Sequence, residues 1–183
     1  MKSLRGHLLI ASPELPDPNF CRSVVLIIDH DTEGAFGLIL NRTTTRRFSE
    51  FWESDDEQLN QIAIAVGGPV PGPILVLHAD CGDDCADQII SGVCLTKVDD
   101  DYAAYFREAI APYRVFVGYA GWGGGQLEAE LDTGSWLTLP ATSADVFEVD
   151  EGKIWDVLVT RAQLLRTKKV LRVKNLGDDP SLN

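Results

Sequence analysis

Long apolar runs are missing from this 183-residue sequence. Nothing approaches the roughly 20 consecutive apolar residues that a membrane-spanning helix requires, so no membrane partner is expected. The apolar run Leu8–Ala11 is shorter than the h-region of a secretory signal, about 7–15 residues, and Pro13 and Glu14 follow it. It reads as a first strand in a cytoplasmic protein. Cysteine is sparse, at four residues, and a cytoplasmic setting argues against stable disulfides among Cys21, Cys81, Cys85 and Cys94. Basic charge is also in deficit: 16 Lys and Arg against 28 Asp and Glu give a net charge of −12. Six of those basic residues fall between Arg161 and Lys174, so the rest of the chain holds ten basic residues against all 28 acids. Such a body repels nucleic-acid phosphates within a Debye length, about 8–10 Å at physiological salt. Direct nucleic-acid binding is therefore disfavoured, and the basic stretch is expected to lie as a solvated end against the acidic body. Internal repeats and low-complexity tracts are absent.

What remains is an ordinary globular composition, 45% hydrophobic and 24% charged. It suits one domain over residues 1–183. A domain of this size buries roughly 70% of its unfolded surface and needs no disulfide or metal to fold. Ser23–Asp29 and Ala35–Asn41 flank the turn-like Asp31–Gly34 and predict a hairpin. The unbroken Val24–Ile28 run predicts a strand covered on both faces. Gly37 marks a bulge or a close backbone approach. Arg42–Arg47 reads as a polar loop and Phe48–Trp52 as a short helix. Strands are expected over Ile62–Val66 and Ile74–His78, joined by a loop that three prolines stiffen. Ile89–Thr96 predicts a strand broken at Gly92, and Asp101–Ile110 a helix. Tyr113–Val117 then predicts a strand, Gln126–Leu131 a helix and Trp136–Leu139 a strand that Pro140 closes. Thr142 or Ser143 caps a turn into Phe147. In the last helix Ile154, Leu158, Ala162 and Leu165 share a face. Val170–Val173 reads as a final strand or as part of a flexible tail over 170–183. This irregular mixing argues for an α+β fold.

Residues 118–137 stand out. Glycines occupy positions 118, 121, 123, 124 and 125, between an apolar strand and a helix start. Helix starts gather free N–H groups and often hold anions. A nucleotide cradle nevertheless lacks its parts here, because no Lys-Ser or Lys-Thr follows Gly125. The following helix is too short for a dinucleotide unit, and Glu128, Glu130 and Asp132 oppose a polyanion. A neutral or cationic ligand fits better, with Gln126 and Glu130 at i,i+4 on one helix face. The alternative is a tight turn that seats Trp122.

The order of motifs carries a resemblance. Leu4-x-Gly6-His7-Leu8-Leu9-Ile10-Ala11, Phe20-x-Arg22-Ser23-Val24-Val25, His30, and Gly34 through Arg42 follow one another. Gly67-Gly68-Pro69-Val70, Leu77-His78, Gly118-Tyr119-Ala120-Gly121-Trp122-x-x-x-Gln126-Leu127-Glu128-x-Glu130-Leu131, Trp136-Leu137, Phe147 and Trp155 come after. In this order the chain resembles the AlgH/YqgE family of bacterial proteins. The resemblance implies a single α+β domain with a bent or bifurcated, mostly antiparallel sheet surrounded by helices. Some members are labelled transcriptional regulators, and no agreed catalytic or binding residues carry over. Cys81 and Cys85 depart from the family pattern.

Other constellations each carry two readings. Cys21, His30 and Asn41 suggest a thiol triad, but nine strand residues separate the first two by about 30 Å. His78, Cys81 and Cys85, with Cys94, form a loose N/S metal set in an acidic loop; the alternative is an exposed loop with incidental thiols. Arg42, Arg46 and Arg47 beside Phe51 and Trp52 could stack on a ligand or simply anchor a loop. The sequence thus predicts a cytoplasmic binding or regulatory protein that contacts a protein or a small ligand and affects transcription indirectly. It implies no cofactor. Its ligand-binding candidates are Asn41, Arg42, Gly67, Gly68, Gly121, Trp122, Gln126 and Glu130. An enzyme with its site between these loops is the alternative, and the missing catalytic motifs lean against it. A structural interaction module is a third, in which Trp52 or Trp122 is buried only against a partner.

Overall fold

The computed structural model describes residues 2–51, 57–79, 88–98 and 112–177. Ten strands occur among them: β1 (His7–Ala11), β2 (Val24–His30), β3 (Gly34–Ile39), β4 (Thr43–Arg47), β5 (Ala63–Val66), β6 (Val70–His78), β7 (Gln88–Ile90), β8 (Val93–Lys97), β9 (Tyr113–Gly123) and β10 (Trp136–Pro140). The α-helices are α1 (Glu57–Asn60), α2 (Gln126–Asp132), α3 (Ser143–Phe147) and α4 (Ile154–Gly177), with a 3-10 turn at Phe48–Glu50. The sheet runs β10-β1-β2-β3-β9-β6-β8-β7, and a β4-β5 branch joins at β9. Among the described residues only the β5–β9 pairing is parallel. The fold is α+β with a bent, bifurcated, mostly antiparallel sheet.

Strand β9 makes the bifurcation. Its first part pairs with β6 and β5, and its last four residues pair with β3. The changeover sits where Gly67 donates to Val117 O and accepts from Ile39 N–H. Gly118 there has a left-handed φ of +70°. A Cβ on Gly67 would collide with Gly118 O, and one on Gly68 with the Tyr119 carbonyl. Three backbones therefore meet at a distance that only glycine permits.

Alternation along β2 feeds two cores, as its unbroken apolar run predicts. Val24, Leu26 and Ile28 join Leu8, Ile10 and the α4 residues Ile154, Trp155 and Leu158 on one face. Val25 and Ile27 join Leu9, Trp122, Leu127 and Trp136 on the other. A third core lies under the other sheet half, around Phe48, Ile64, Val76 and Val115. The hairpin, the Gly92 break, α2 and the strand that Pro140 ends all lie where expected.

Several expectations are corrected. Thr43–Arg47 is a strand rather than a loop, because β-branched threonines pair with β5. Strand β6 begins at Val70, and a register shift between Val70 and Ile74 absorbs Pro71 and Pro73. The short helix after β4 shrinks to the 3-10 turn at Phe48–Glu50. Val170–Val173 continues α4 rather than forming a strand. Leu165 is 52% exposed rather than on the buried face. Cys94 is disulfide-bonded, against the expectation of free thiols, while Cys21 is free and exposed. The expected helix Asp101–Ile110 lies outside the described residues.

The basic helix α4 is tied to the body through Arg161. Its guanidinium donates to both oxygens of Asp145, at 2.9 and 3.0 Å. Thr142 caps α3 and adds bonds to the same carboxylate from its hydroxyl and N–H. Burial pushes the Asp145 pKa up, but Arg161 and Thr142 outweigh it and hold it below the ordinary value. A folded pKa below the unfolded one, about 3.9, gives stability that is present above that pH and lost as pH falls through the folded value. Asp145→Asn should therefore destabilise the protein at pH 7, and its deficit against the parent should shrink as pH is lowered towards 2. Urea unfolding across that range checks this; a deficit that stays constant with pH contradicts it.

Candidate functional site

The glycine segment is a packing device in this fold. Trp122 is buried at 5% exposure and Trp136 at 4%. Both indoles donate to one oxygen of Glu130, at 2.9 and 2.7 Å. Gln126 donates to the other oxygen at 2.9 Å, as their i,i+4 spacing predicts, and also accepts from Gly123 N–H. Phe20 stacks on Trp122 and meets Trp136 edge-on, with centroids 5.8 and 5.4 Å apart. Gly121 is exposed beside them. One of the segment's glycines answers to the hairpin turn: a Cβ on Gly124 would lie 2.8 Å from Thr32 O, and in return a Cβ on Gly34 of the hairpin would strike Trp122 O. The interaction-module expectation for Trp122 fails, since the isolated chain already buries it; Trp52 lies outside the described residues.

The remaining candidates lie elsewhere. Ala35 pairs with Trp122, and Asn41 is six residues further along that chain, about 20 Å away. Asn41 accepts from Val24 N–H and donates to Arg22 O, while Arg42 donates to Cys21 O. Together they hold the bend at Arg22, whose φ of 54° is in the left-handed region. Gly67 and Gly68 are buried at the strand junction between the two groups. The thiol triad does not assemble: His30 pairs with Ala35, at the opposite end of the hairpin from Asn41 and Val24.

Both buried histidines are committed to internal bonds. Leu4 N–H donates to His30 Nδ1 at 3.1 Å, so Nε2 carries the proton and donates to Glu128 at 3.0 Å. His78 Nε2 bonds Thr96 Oγ1 at 3.0 Å. Of its companions in the metal set, Cys81 and Cys85 lie outside the described residues, and the disulfide removes Cys94 as a thiolate ligand. Two of the arginines after β3, Arg46 and Arg47, are exposed but are bonded to their own surroundings. Arg46 pairs with Glu50 and covers the Phe51 ring at 4.1 Å, and Arg47 donates to Gln61 O.

One recess collects polar groups that retain bonding capacity. Asn41, Thr43, Asp150, Glu151 and Gly152 line a cavity of about 430 Å³. A second, of about 340 Å³, shares Thr43 and Glu151 and continues along Thr44, Tyr113 and Arg114. Arg114 sits behind the wall. It donates to Leu40 O at 2.5 Å and Val146 O at 3.2 Å, pairs with Glu151, and faces the Phe116 ring. Burial lowers its pKa and Glu151 opposes that shift. Of the eight residues chosen from sequence, only Asn41 lines this recess. Arg114, Asp150 and Glu151 were missed. The available signal was a lone arginine inside the apolar strand Tyr113–Val117, which needs a buried partner.

Comparison with known proteins agrees with the fold and the motif order. The AlgH-like family model matches residues 8–165. A UPF0301 protein of Streptomyces avermitilis is 35% identical over 195 residues, covering 100% of this chain and 97% of its own. One from Hahella chejuensis is 39% identical, covering 84% and 85%. The solution structure of the AlgH protein from Pseudomonas aeruginosa superposes with a TM-score of 0.73 at 29% identity, covering 87% of this chain and 89% of that one. A crystal structure of a Corynebacterium diphtheriae protein, at 24% identity and a TM-score of 0.71, shares the fold, covering 88% and 87%. Matched across most of its length in motif order and in fold, the chain belongs to the AlgH-like family.

Proposed function

We propose that this protein works by binding rather than by bond-making chemistry, and that it takes a small cationic or neutral polar molecule in the Asn41–Thr43–Asp150–Glu151 recess. The observation that carries this is the imbalance of charge at its wall. Arg114 is spent on Glu151 and two carbonyls, whereas Asp150 accepts a bond from Gly152 N–H and has no cationic partner among the described residues. The recess therefore favours an amine or a hydroxyl-rich ligand over an anion. The groups best suited to catalysis, His30, Glu128 and Glu130, are each bonded within the protein, which supports binding over catalysis. Any effect on transcription is then indirect, because the acidic body repels DNA. A thermal-shift series with diamines, amino alcohols and simple sugars tests the site. At least one should raise the melting temperature saturably, and Asp150→Asn with Thr43→Val should abolish the shift. A ligand that binds equally well to that double variant, or a panel without any shift, counts against the recess.

A further inference from the structure

We infer that the recess continues as a slot for a planar ring, so that its ligand is an arylalkylamine, with a primary amine at the Asp150 end and an aromatic ring over β5. This rests on the reading of the Asn41–Thr43–Asp150–Glu151 recess as a ligand site and names the class of ligand. Two cavities carry it. One, of about 430 Å³, reaches Asp150 and Gly152; the other, of about 340 Å³, runs along β5 and the start of β9. Thr43 and Glu151 line both, so the two spaces meet at that pair.

Strand alternation decides what floors the second space. Ile64 and its β9 partner Val115 lie in the core around Phe48, and Ile62 and Tyr113 pack against that same core. Ala65 and its partner Phe116 lie in the opposite core with Val146. Arg114 reaches to that side for Val146 O and Glu151. Side chains alternate along a strand, so Ala63 joins Ala65 on the recess face. This face of β5 therefore offers the cavity two methyl groups and the peptide planes between them, where longer side chains would fill it. Thr43, Thr44, Arg114 and Glu151 form a polar rim. A flat apolar floor inside a polar rim suits the face of an aromatic ring, which is buried there without stripping water from a donor or acceptor. Ala63 and Ala65 are about 6–7 Å apart along the strand, a length that one six-membered ring covers. Thr43 pairs with Ala65, so one edge of such a ring lies beside the junction of the two cavities. A short alkyl linker from there directs the amine towards Asp150, whose carboxylate has no cationic partner among the described residues.

Calorimetric titration of the full chain with three probes tests this. Phenethylamine should bind saturably, and at least tenfold tighter than ethylamine, which has the amine alone, or phenethyl alcohol, which has the ring without the charge. Ala63→Phe should weaken phenethylamine at least tenfold by filling the slot; Ala63 is exposed, so the fold has room for the change. Methyl NMR supplies an independent readout. A ring stacked above them should shift the Ala63 and Ala65 methyl signals upfield with phenethylamine, and ethylamine should leave them in place. If ethylamine and phenethylamine bind equally and Asp150→Asn abolishes both, the ring slot is overturned while the recess stands. If phenethyl alcohol binds as tightly as phenethylamine, the amine is overturned. Unmoved methyl signals, or an Ala63→Phe variant that binds like the parent, also overturn the proposal, and binding of no amine at all removes the recess with it.

Discussion

Glu130→Ala is expected to lower unfolding free energy by about 3–5 kcal/mol. Two buried indole N–H groups lose their shared acceptor, and each unsatisfied buried group costs roughly 1–3 kcal/mol. Gln126 loses its partner as well, though it sits at the surface and adds little. A domain has only about 5–15 kcal/mol in total, so a large fraction of the stability goes. Glu130→Gln should cost less than half as much, because its amide oxygen can still accept from both indoles. Urea unfolding followed by tryptophan fluorescence measures the difference. If Glu130→Ala falls within about 1 kcal/mol of the parent, the carboxylate does not hold the aromatic cluster together.

Arg114→Met should cost about 2–4 kcal/mol, chiefly by leaving the carbonyls of Leu40 and Val146 without a donor, with a smaller share from Glu151, whose side chain is 35% exposed and partly rehydrates. The double variant Arg114→Met, Glu151→Gln should recover part of that loss, because the stranded charge is gone. Denaturant unfolding of the two single variants and the double gives their coupling. Additive losses would show that the two side chains do not act as a pair. Arg114→Met also changes the wall of the proposed recess, so this measurement is one of stability and leaves the ligand test to Asp150 and Thr43.

How much of this was legible in advance differs from element to element. The hairpin around Asp31–Gly34, the covered strand Val24–Ile28 and the Thr142 cap follow from local chemistry, since turn residues, apolar runs and capping side chains act within a few positions. Strand β4 was hidden because its threonines and arginines look like a loop until β5 supplies hydrogen bonds. The extension of α4 through Val170–Val173 was hidden because those β-branched residues favour a strand locally, whereas the helix continues over them. Among the site residues, Gln126 and Glu130 were found through helical spacing. Their task was not, because it depends on two tryptophans separated from each other by fourteen residues of chain.

By itself the sequence determined the family, through the order of its motifs, and the α+β character, through irregular alternation of strand and helix patterns. It also determined the charge balance that sets the body against nucleic acid. Tertiary structure alone decided which polar groups have bonding capacity left. Asn41, Gly68 and Glu130 looked like parts of one site, but Gly68 and Glu130 serve separate packing tasks, while Asn41 lines a recess where Arg114 and Glu151, 37 residues apart, meet. The physical reason is that a polar side chain's availability depends on every group within about 3 Å of it. Those groups come from strands that are brought together only when the sheet forms.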